Sequence, residues 1–174
     1  MTSGGCPHRI ERIRWDHRRD ALNCGAPELD QYLQKYARQN DVSDLARAYV
    51  AVAADEPLRV IGYYTLSAAQ VDFEALPPEH RRKQPKYPIP ATRIGRLAVD
   101  QSFQNTGLGS MLLFDAFRRV STVSAEIGIK AVIVDARDDQ AKGFYRHFGF
   151  IELLNTPLAL FLPIETVRRA ITGF

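Results

Sequence analysis

The sequence predicts an α/β fold, with helices flanking a sheet, and three observations carry that prediction. An apolar run, Ile94 to Val99, leads through Gln104-Asn105-Thr106-Gly107-Leu108-Gly109 into a long apolar helix. A strand-like run, Ala131 to Ala136, precedes a second helix that stops at Gly149. Two short apolar runs then follow on either side of Asn155-Thr156-Pro157.

Each element has a local reason. Pro27, Leu29, Tyr32, Leu33, Tyr36 and Ala37 recur at helical spacing, and the early proline suits the first helical position. Ala48, Val50 and Val52 place one apolar face on a strand over about 47–54. Val60 to Ser67 is a second, denser strand. Asp72 to Pro90 carries five prolines and a basic cluster, which predicts a short helix and a loop lying over the surface. Arg93 to Asp100 returns to strand, and Gly107 to Glu126 forms the long helix under the sheet. Lys130 to Ala136 is a strand and the helix bearing Tyr145 follows it. Phe150 to Leu154 and Leu158 to Leu162 pair antiparallel across the Asn-Thr-Pro turn. A short helix over Glu165 to Ala170 ends the chain's pattern.

The strand, glycine turn and helix start at 94–110 make an anion site. The first helical N–H groups lack intrahelical partners and carry the positive end of the macrodipole. No Lys-Ser or Lys-Thr follows the second glycine, so nothing would reach a β/γ-phosphate and its magnesium. A dinucleotide fingerprint would need a third glycine, and position 112 is Leu. What remains is Gln104-x-x-Gly107-x-Gly109, a pyrophosphate cradle or a plain glycine turn before a helix. Further on, Ala141, Phe144, Tyr145 and Phe148 share one helical stripe, and Gly149 terminates it. Tyr145 is then either core filler or a hydroxyl held towards a bound cofactor.

The loop resembles the coenzyme A pyrophosphate loop of the GNAT acetyltransferases, and Ala141-x-x-x-Tyr145-x-x-x-Gly149-Phe150 lies at the matching distance. Tyr87-Pro-Ile-Pro-Ala-Thr-Arg-Ile-Gly-Arg-Leu-Ala-Val-Asp100 and Asn23-Cys24-Gly25-x-x-Glu28-Leu29-Asp30-x-x-Leu33 are similar to the GNAT toxins of bacterial type II toxin–antitoxin modules. The likeness covers residues 20–162. It implies the GNAT fold, with a central mixed, mostly antiparallel sheet flanked by helices, and acetyl-CoA as cosubstrate without a metal. It also implies acetylation of the α-amino group of aminoacyl-tRNA, which blocks translation. The implied partners are a ribbon-helix-helix antitoxin, operator DNA through that antitoxin, and a second copy of the chain in a homodimer.

By the same resemblance, strand residues Leu97, Ala98 and Val99 would hold the pantetheine arm and polarise the thioester carbonyl. Gln104, Asn105, Thr106, Gly107, Leu108, Gly109 and Ser110 would cradle the pyrophosphate. Phe144 would line the cofactor site. Asp138 stands where many GNATs place an Asn three residues before the helix Ala, a departure from the pattern. Tyr145 would protonate the departing coenzyme A thiolate. No carboxylate or histidine presents itself as a base. That suits an α-amine, whose pKa of about 7.7 to 8.0 leaves it partly neutral near pH 7 to 8, better than a lysine near about 10.4.

Length and composition bound the remaining readings. A chain of 174 residues, 45% hydrophobic and 25% charged, suits one domain over 1–174, with 1–19 as a basic N-terminal extension. No apolar stretch nears the ~18 residues of a membrane span, and the start lacks a signal-peptide core, so the expected location is the cytoplasm. Cys6 and Cys24 fit no metal or redox spacing and are expected as free thiols. Net charge is +3, yet residues 8–19 and 79–96 hold 11 of the 23 basic residues and 3 of the 20 acidic ones. Such concentration would draw an RNA, with Arg81, Arg82, Lys83, Lys86, Arg93 and Arg96 as candidate contacts. The alternative is a solvated charged face, and for Arg96 a structural ion pair. Acetylation of a small amine or a protein amino group, and non-catalytic sensing of acetyl-CoA, stay open on the residues alone.

Overall fold

The computed structural model describes residues 8–154 and 156–173. Its elements run β1 (Arg9–Arg12), α1 (Pro27–Lys35), α2 (Ala37–Val42), β2 (Arg47–Ala53), β3 (Glu56–Val71), α3 (Pro78–Arg81) and β4 (Ile89–Val99). Then come α4 (Leu108–Val123), β5 (Ala131–Asp135), α5 (Asp139–His147), β6 (Ile151–Glu152), β7 (Ala159–Pro163) and α6 (Ile164–Thr172). The strands are ordered β1-β2-β3-β4-β5-β7-β6. β4 and β5 pair in parallel, whereas β1–β2, β2–β3, β5–β7 and β6–β7 are antiparallel. The sheet is therefore mixed, as the sequence led us to expect. The parallel pair requires a crossover between its strands, and α4 supplies it.

The chain divides into two compact units, one of residues to Leu66 with Arg96–Asp115, the other of Ser67–Gly95 with Ala116 onward. In the first, Ile13, Leu22, Leu33, Ala37, Val50, Val60, Tyr63 and Ala98 are buried together. Pro27 starts α1, and Glu28 and Asp30 in its first turn complement the positive helix end. The expected single helix breaks at Tyr36 (φ −122°, ψ −27°), and the next residue, Ala37, is fully buried at the start of α2.

β1 was not expected, because Arg-Ile-Glu-Arg carries one apolar residue. Its polar side chains have partners that the sequence does not reveal. Arg12 grips the buried Asp41 carboxylate with bonds of 2.6 to 3.2 Å, and the Ala48 N–H donates to the same group at 3.0 Å. Burial works against this carboxylate, but the Arg12 and Ala48 bonds outweigh it and hold its pKa below the usual range. Asp41→Ala would orphan that amide and one end of a charge-assisted pair, so it should lower unfolding free energy by about 2 to 3 kcal/mol in urea melts. A change under 0.5 kcal/mol would mean that the β1 clamp contributes nothing to stability.

In the second unit, Val71, Leu76, Ile89, Ala91, Ala131, Ile133 and Phe161 form one core cluster. The Asp72–Pro90 segment does more than cross the surface. Leu76 and Pro77 are buried, and the Leu154 N–H bonds Ala75 O at 2.7 Å. Gly149 takes the left-handed φ of +94° that its role as helix stop demands. Both short strands form as an antiparallel pair, although β6 spans only two residues and Asn155 of the expected turn lies outside the described residues. Cys6 also lies outside them. No helix among the described residues is long and apolar enough to cross a membrane.

Candidate active site

The end of β4 and the turn after it hold most of the expected cofactor residues. Ala98 is buried, while Leu97 and Val99 are half-exposed. Gly62 lies against this strand, because a Cβ there would come within 3.0 Å of Ala98 O and 3.1 Å of Leu112 Cδ1. Only a glycine lets the two backbones approach so closely. Asp100, buried at the strand's end, accepts from Asn23 N at 3.0 Å, Ser102 N at 3.0 Å and Ser102 Oγ at 2.6 Å. It thereby fixes the 3-10 turn Gln101–Phe103 that starts the loop. The Asp-x-Ser spacing after an apolar run was the signal for this residue, and sequence reasoning passed over it.

Gln104 is tied into the base of the loop. Its Nε2 donates to Val99 O and Cys24 O, both at 3.0 Å. Asn105 (φ +62°) and Gly107 (φ +90°) are both left-handed, and Gln104 to Gly107 are exposed. Thr106 Oγ1 donates to Phe103 O at 2.5 Å. Leu108 is buried and starts α4, whose first capping bond runs from Met111 N to Gly107 O at 3.1 Å. The amides of Leu108, Gly109 and Ser110 precede that bond and have no carbonyl one turn back, so the loop offers several N–H donors. A turn of this kind makes an anion-binding concavity, and the donor set fits a pyrophosphate.

Arg96 makes no ion pair among the described residues; its guanidinium lies 3.6 Å from the centroid of the Tyr32 ring, a cation–π contact. Tyr32 stacks in turn on Tyr63 at 6.4 Å. Tyr63 donates to Leu29 O at 2.6 Å, and burial drives its pKa above the phenol range despite the opposing charge of Arg96. Cys24, the free cysteine among the described residues, has its thiol pushed up to about 11 by burial and then by Asp30. A thiol of that pKa is not a nucleophile at neutral pH.

In the second unit, Asp138 caps α5 by accepting from Ala141 N at 2.8 Å, and it pairs with Arg137 at 3.0 Å. The residue that departs from the Asn pattern thus has a local structural task. Tyr145 sits among aromatic rings, 5.3 Å from Phe144 and 5.4 Å from Phe150. It is 6% exposed, and its hydroxyl has no hydrogen-bond partner among the described residues. Burial, and then the charge of Asp135, push its pKa above the usual phenol range. It therefore keeps its proton at any working pH and can act as a donor but not as a base.

The basic candidates separate into two kinds. Arg81 donates to Leu76 O and Glu74 O, both at 2.9 Å, and lies over Phe73, so it braces its own turn. Arg93 pairs with Asp135. Arg82, Lys83 and Lys86 are exposed and have no ion pair among the described residues. In the N-terminal segment, Arg9, Arg12, Arg14 and Arg18 are paired with Glu11, Asp41, Asp16 and Glu56. His17 accepts from Arg14 N at Nδ1, which leaves Nε2 to donate to Glu11 at 2.7 Å. Two of these pairs lie within the segment, and the other two, Arg12 with Asp41 and Arg18 with Glu56, are distant in sequence. Among the described residues no group of acidic, His and Cys side chains could hold a metal ion.

Residues 46–152 match the family model for the acetyltransferase (GNAT) domain. The chain is 38% identical over 151 residues to the tRNA-acetylating toxin of Mycobacterium tuberculosis, covering 87% of this chain and 89% of that one. It also resembles solved structures of AtaT. AtaT complexed with acetyl-methionyl-tRNAfMet superposes with a TM-score of 0.88 at 30% identity, covering 94% of this chain and 99% of that one. A mutant AtaT bound to the C-terminus of the antitoxin AtaR and acetyl-CoA gives 0.82 at 27% identity, covering 95% and 98%. With the loop, the capped α5 and the buried tyrosine in place, these matches show that the chain belongs to the acetyltransferase (GNAT) family.

Proposed function

We propose that this protein is a toxin that transfers acetyl from acetyl-CoA to the α-amino group of aminoacyl-tRNA, blocks translation in the cytoplasm, and is neutralised by a ribbon-helix-helix antitoxin. Its similarity over 87% of the chain to a tRNA-acetylating toxin carries this reading. The antitoxin would link the protein to operator DNA, and the working unit would be a homodimer.

Acetyl-CoA, when bound, supplies an activated acetyl group as a thioester. The N–H donors of Asn105 to Ser110 hold its pyrophosphate, and strand residues Leu97 to Val99 hold the pantetheine arm through their backbone. A backbone donor aimed at the thioester oxygen is worth about 10² to 10³ in rate. The neutral α-amine attacks the carbonyl carbon, the C–N bond forms as the C–S bond breaks, and the amine's extra proton passes to solvent. The Tyr145 hydroxyl would donate its proton to the sulfur as negative charge gathers there, leaving free coenzyme A as the thiol, and would regain a proton from solvent. Cys24, protonated at neutral pH, takes no covalent part. Arg82, Lys83 and Lys86 contact the phosphates of the RNA.

Labelled acetyl should pass from acetyl-CoA to charged bulk tRNA and not to uncharged tRNA, polyamines or a peptide. Label on polyamine or peptide with charged tRNA blank would sink this reading and leave an ordinary GNAT enzyme. Replacing Arg82, Lys83 and Lys86 with alanine should reduce the salt dependence of tRNA binding by about two to three in log–log slope. An unchanged slope would remove that segment from the RNA contact.

A further inference from the structure

A trough on the α1–α2 face of the first unit has the composition of a second polyanion site. One cavity there, about 490 Å³, is lined by Arg19, Gln34, Lys35, Arg38, Gln39, Val42 and Ser43. A neighbouring one of about 330 Å³ shares Arg19 and Gln34 and extends the trough along His17 to Asp20. The larger cavity contains three cations, two amides and one hydroxyl, with no carboxylate and one apolar side chain.

The cations stand uncompensated. Arg19, Lys35 and Arg38 have no hydrogen bond or ion pair among the described residues. Asp41 is engaged with Arg12 and Arg47, and Asp44 with Arg47, while Asp20 lines the smaller cavity. Arg19 is also the one arginine of residues 9–19 without such a pairing. Its backbone is positioned, because Arg18 N bonds Leu58 O at 2.6 Å and Val60 N bonds Arg18 O at 3.1 Å. Lys35 and Arg38 flank the helix break at Tyr36, whose ring is half-exposed.

We infer that this trough binds the sugar–phosphate backbone of an RNA, with Arg19, Lys35 and Arg38 on phosphates and Gln34, Gln39 and Ser43 as neutral donors. Phosphate contacts in nucleic-acid complexes are made by these residue types. An amphipathic acidic helix would need a continuous apolar seam, and Val42 in the lining with the half-exposed Tyr36 ring beside it does not make one. The inference rests on the aminoacyl-tRNA reading and adds to it a place where the acceptor's backbone is held.

The test uses the full-length protein and the Arg19→Gln, Lys35→Gln, Arg38→Gln triple variant, with thermal melts to confirm that both fold. Binding of uncharged bulk tRNA is measured from 50 to 300 mM salt. The log–log slope should fall by about two to three, since each lost phosphate contact removes about 0.7 to 0.9. In acetyl transfer to charged tRNA at fixed salt, the loss should appear as a KM for tRNA raised at least tenfold and not in kcat. A wild-type slope and an unchanged KM in the variant would overturn the inference while leaving the acetylation reading intact. A variant that keeps its tRNA slope but no longer binds polyglutamate would overturn it in favour of an acidic protein partner. Wild-type protein that acetylates no charged tRNA would instead fail the function itself.

Discussion

Tyr145→Phe should lower kcat for acetyl transfer by about 10² to 10⁴ while the protein melts at the same temperature or slightly higher. The two halves of this expectation come from one geometry. The ring packs against Phe144 and Phe150 and would keep those contacts as phenylalanine. The hydroxyl has no hydrogen-bond partner among the described residues, so its removal breaks no protein bond. Steady-state kinetics beside calorimetry would decide the matter. Retained turnover would remove Tyr145 from proton donation, and a fall of several degrees in Tm would make the hydroxyl structural after all. The raised pKa adds a pH signature. The phenol stays protonated well above neutrality, so any alkaline limb of the wild-type rate profile belongs to another group.

Asp100→Ala should destabilise the protein by about 1 to 3 kcal/mol, because it removes the buried carboxylate that ties Asn23 N, Ser102 N and Ser102 Oγ together, while water can reach both exposed partner residues. For a domain of this size each kcal/mol corresponds to about 2 to 4 °C in Tm. The KM for acetyl-CoA should rise as well, since this carboxylate anchors the turn that leads into the cradle. The pH dependence has a definite sign. Burial opposes the ionised form, but Ser102, the Asn23 amide and the charge of Arg59 outweigh it and depress the pKa. A depressed carboxylate contributes its full stabilisation above the unfolded pKa of about 3.9 and loses it as pH falls through the folded value. The gap between wild type and Asp100→Asn should therefore be widest near neutrality and close in strong acid. Urea melts at pH 7 and pH 3 giving an equal gap would show that the charge itself contributes nothing.

Local chemistry made much of the molecule legible before any coordinates. The glycine turn into α4, Pro27 at the start of α1 and Gly149 after α5 each depend on backbone preferences of single residues. Those preferences act within a few positions, so a sequence displays them. The strand ends were less legible. β3 runs from Glu56 to Val71, well beyond the dense apolar stretch from Val60 to Ser67, because small and polar residues such as Ala68, Ala69 and Gln70 carry little pattern yet still complete a ladder. β1 was hidden for a related reason. Its pairing with β2 joins residues 37 to 43 apart and the Arg12–Asp41 contact joins residues 29 apart, and no local signal announces them.

The candidate site divides along the same line. By itself the sequence determined the residue types at the cradle, the position of Tyr145 on the apolar face of α5, and the family to which those motifs point. Tertiary structure alone decided which charges remain available. Arg12 and Arg18 looked as basic as Arg82 and Lys83 until folding brought Asp41 and Glu56 to them, whereas Arg9 and Arg14 pair with Glu11 and Asp16 two residues away. It likewise placed Arg96 over Tyr32 and left Arg19, Lys35 and Arg38 without partners among the described residues. The physical reason is that backbone conformation is governed by neighbours in the chain, whereas the net field of a surface is governed by neighbours in space.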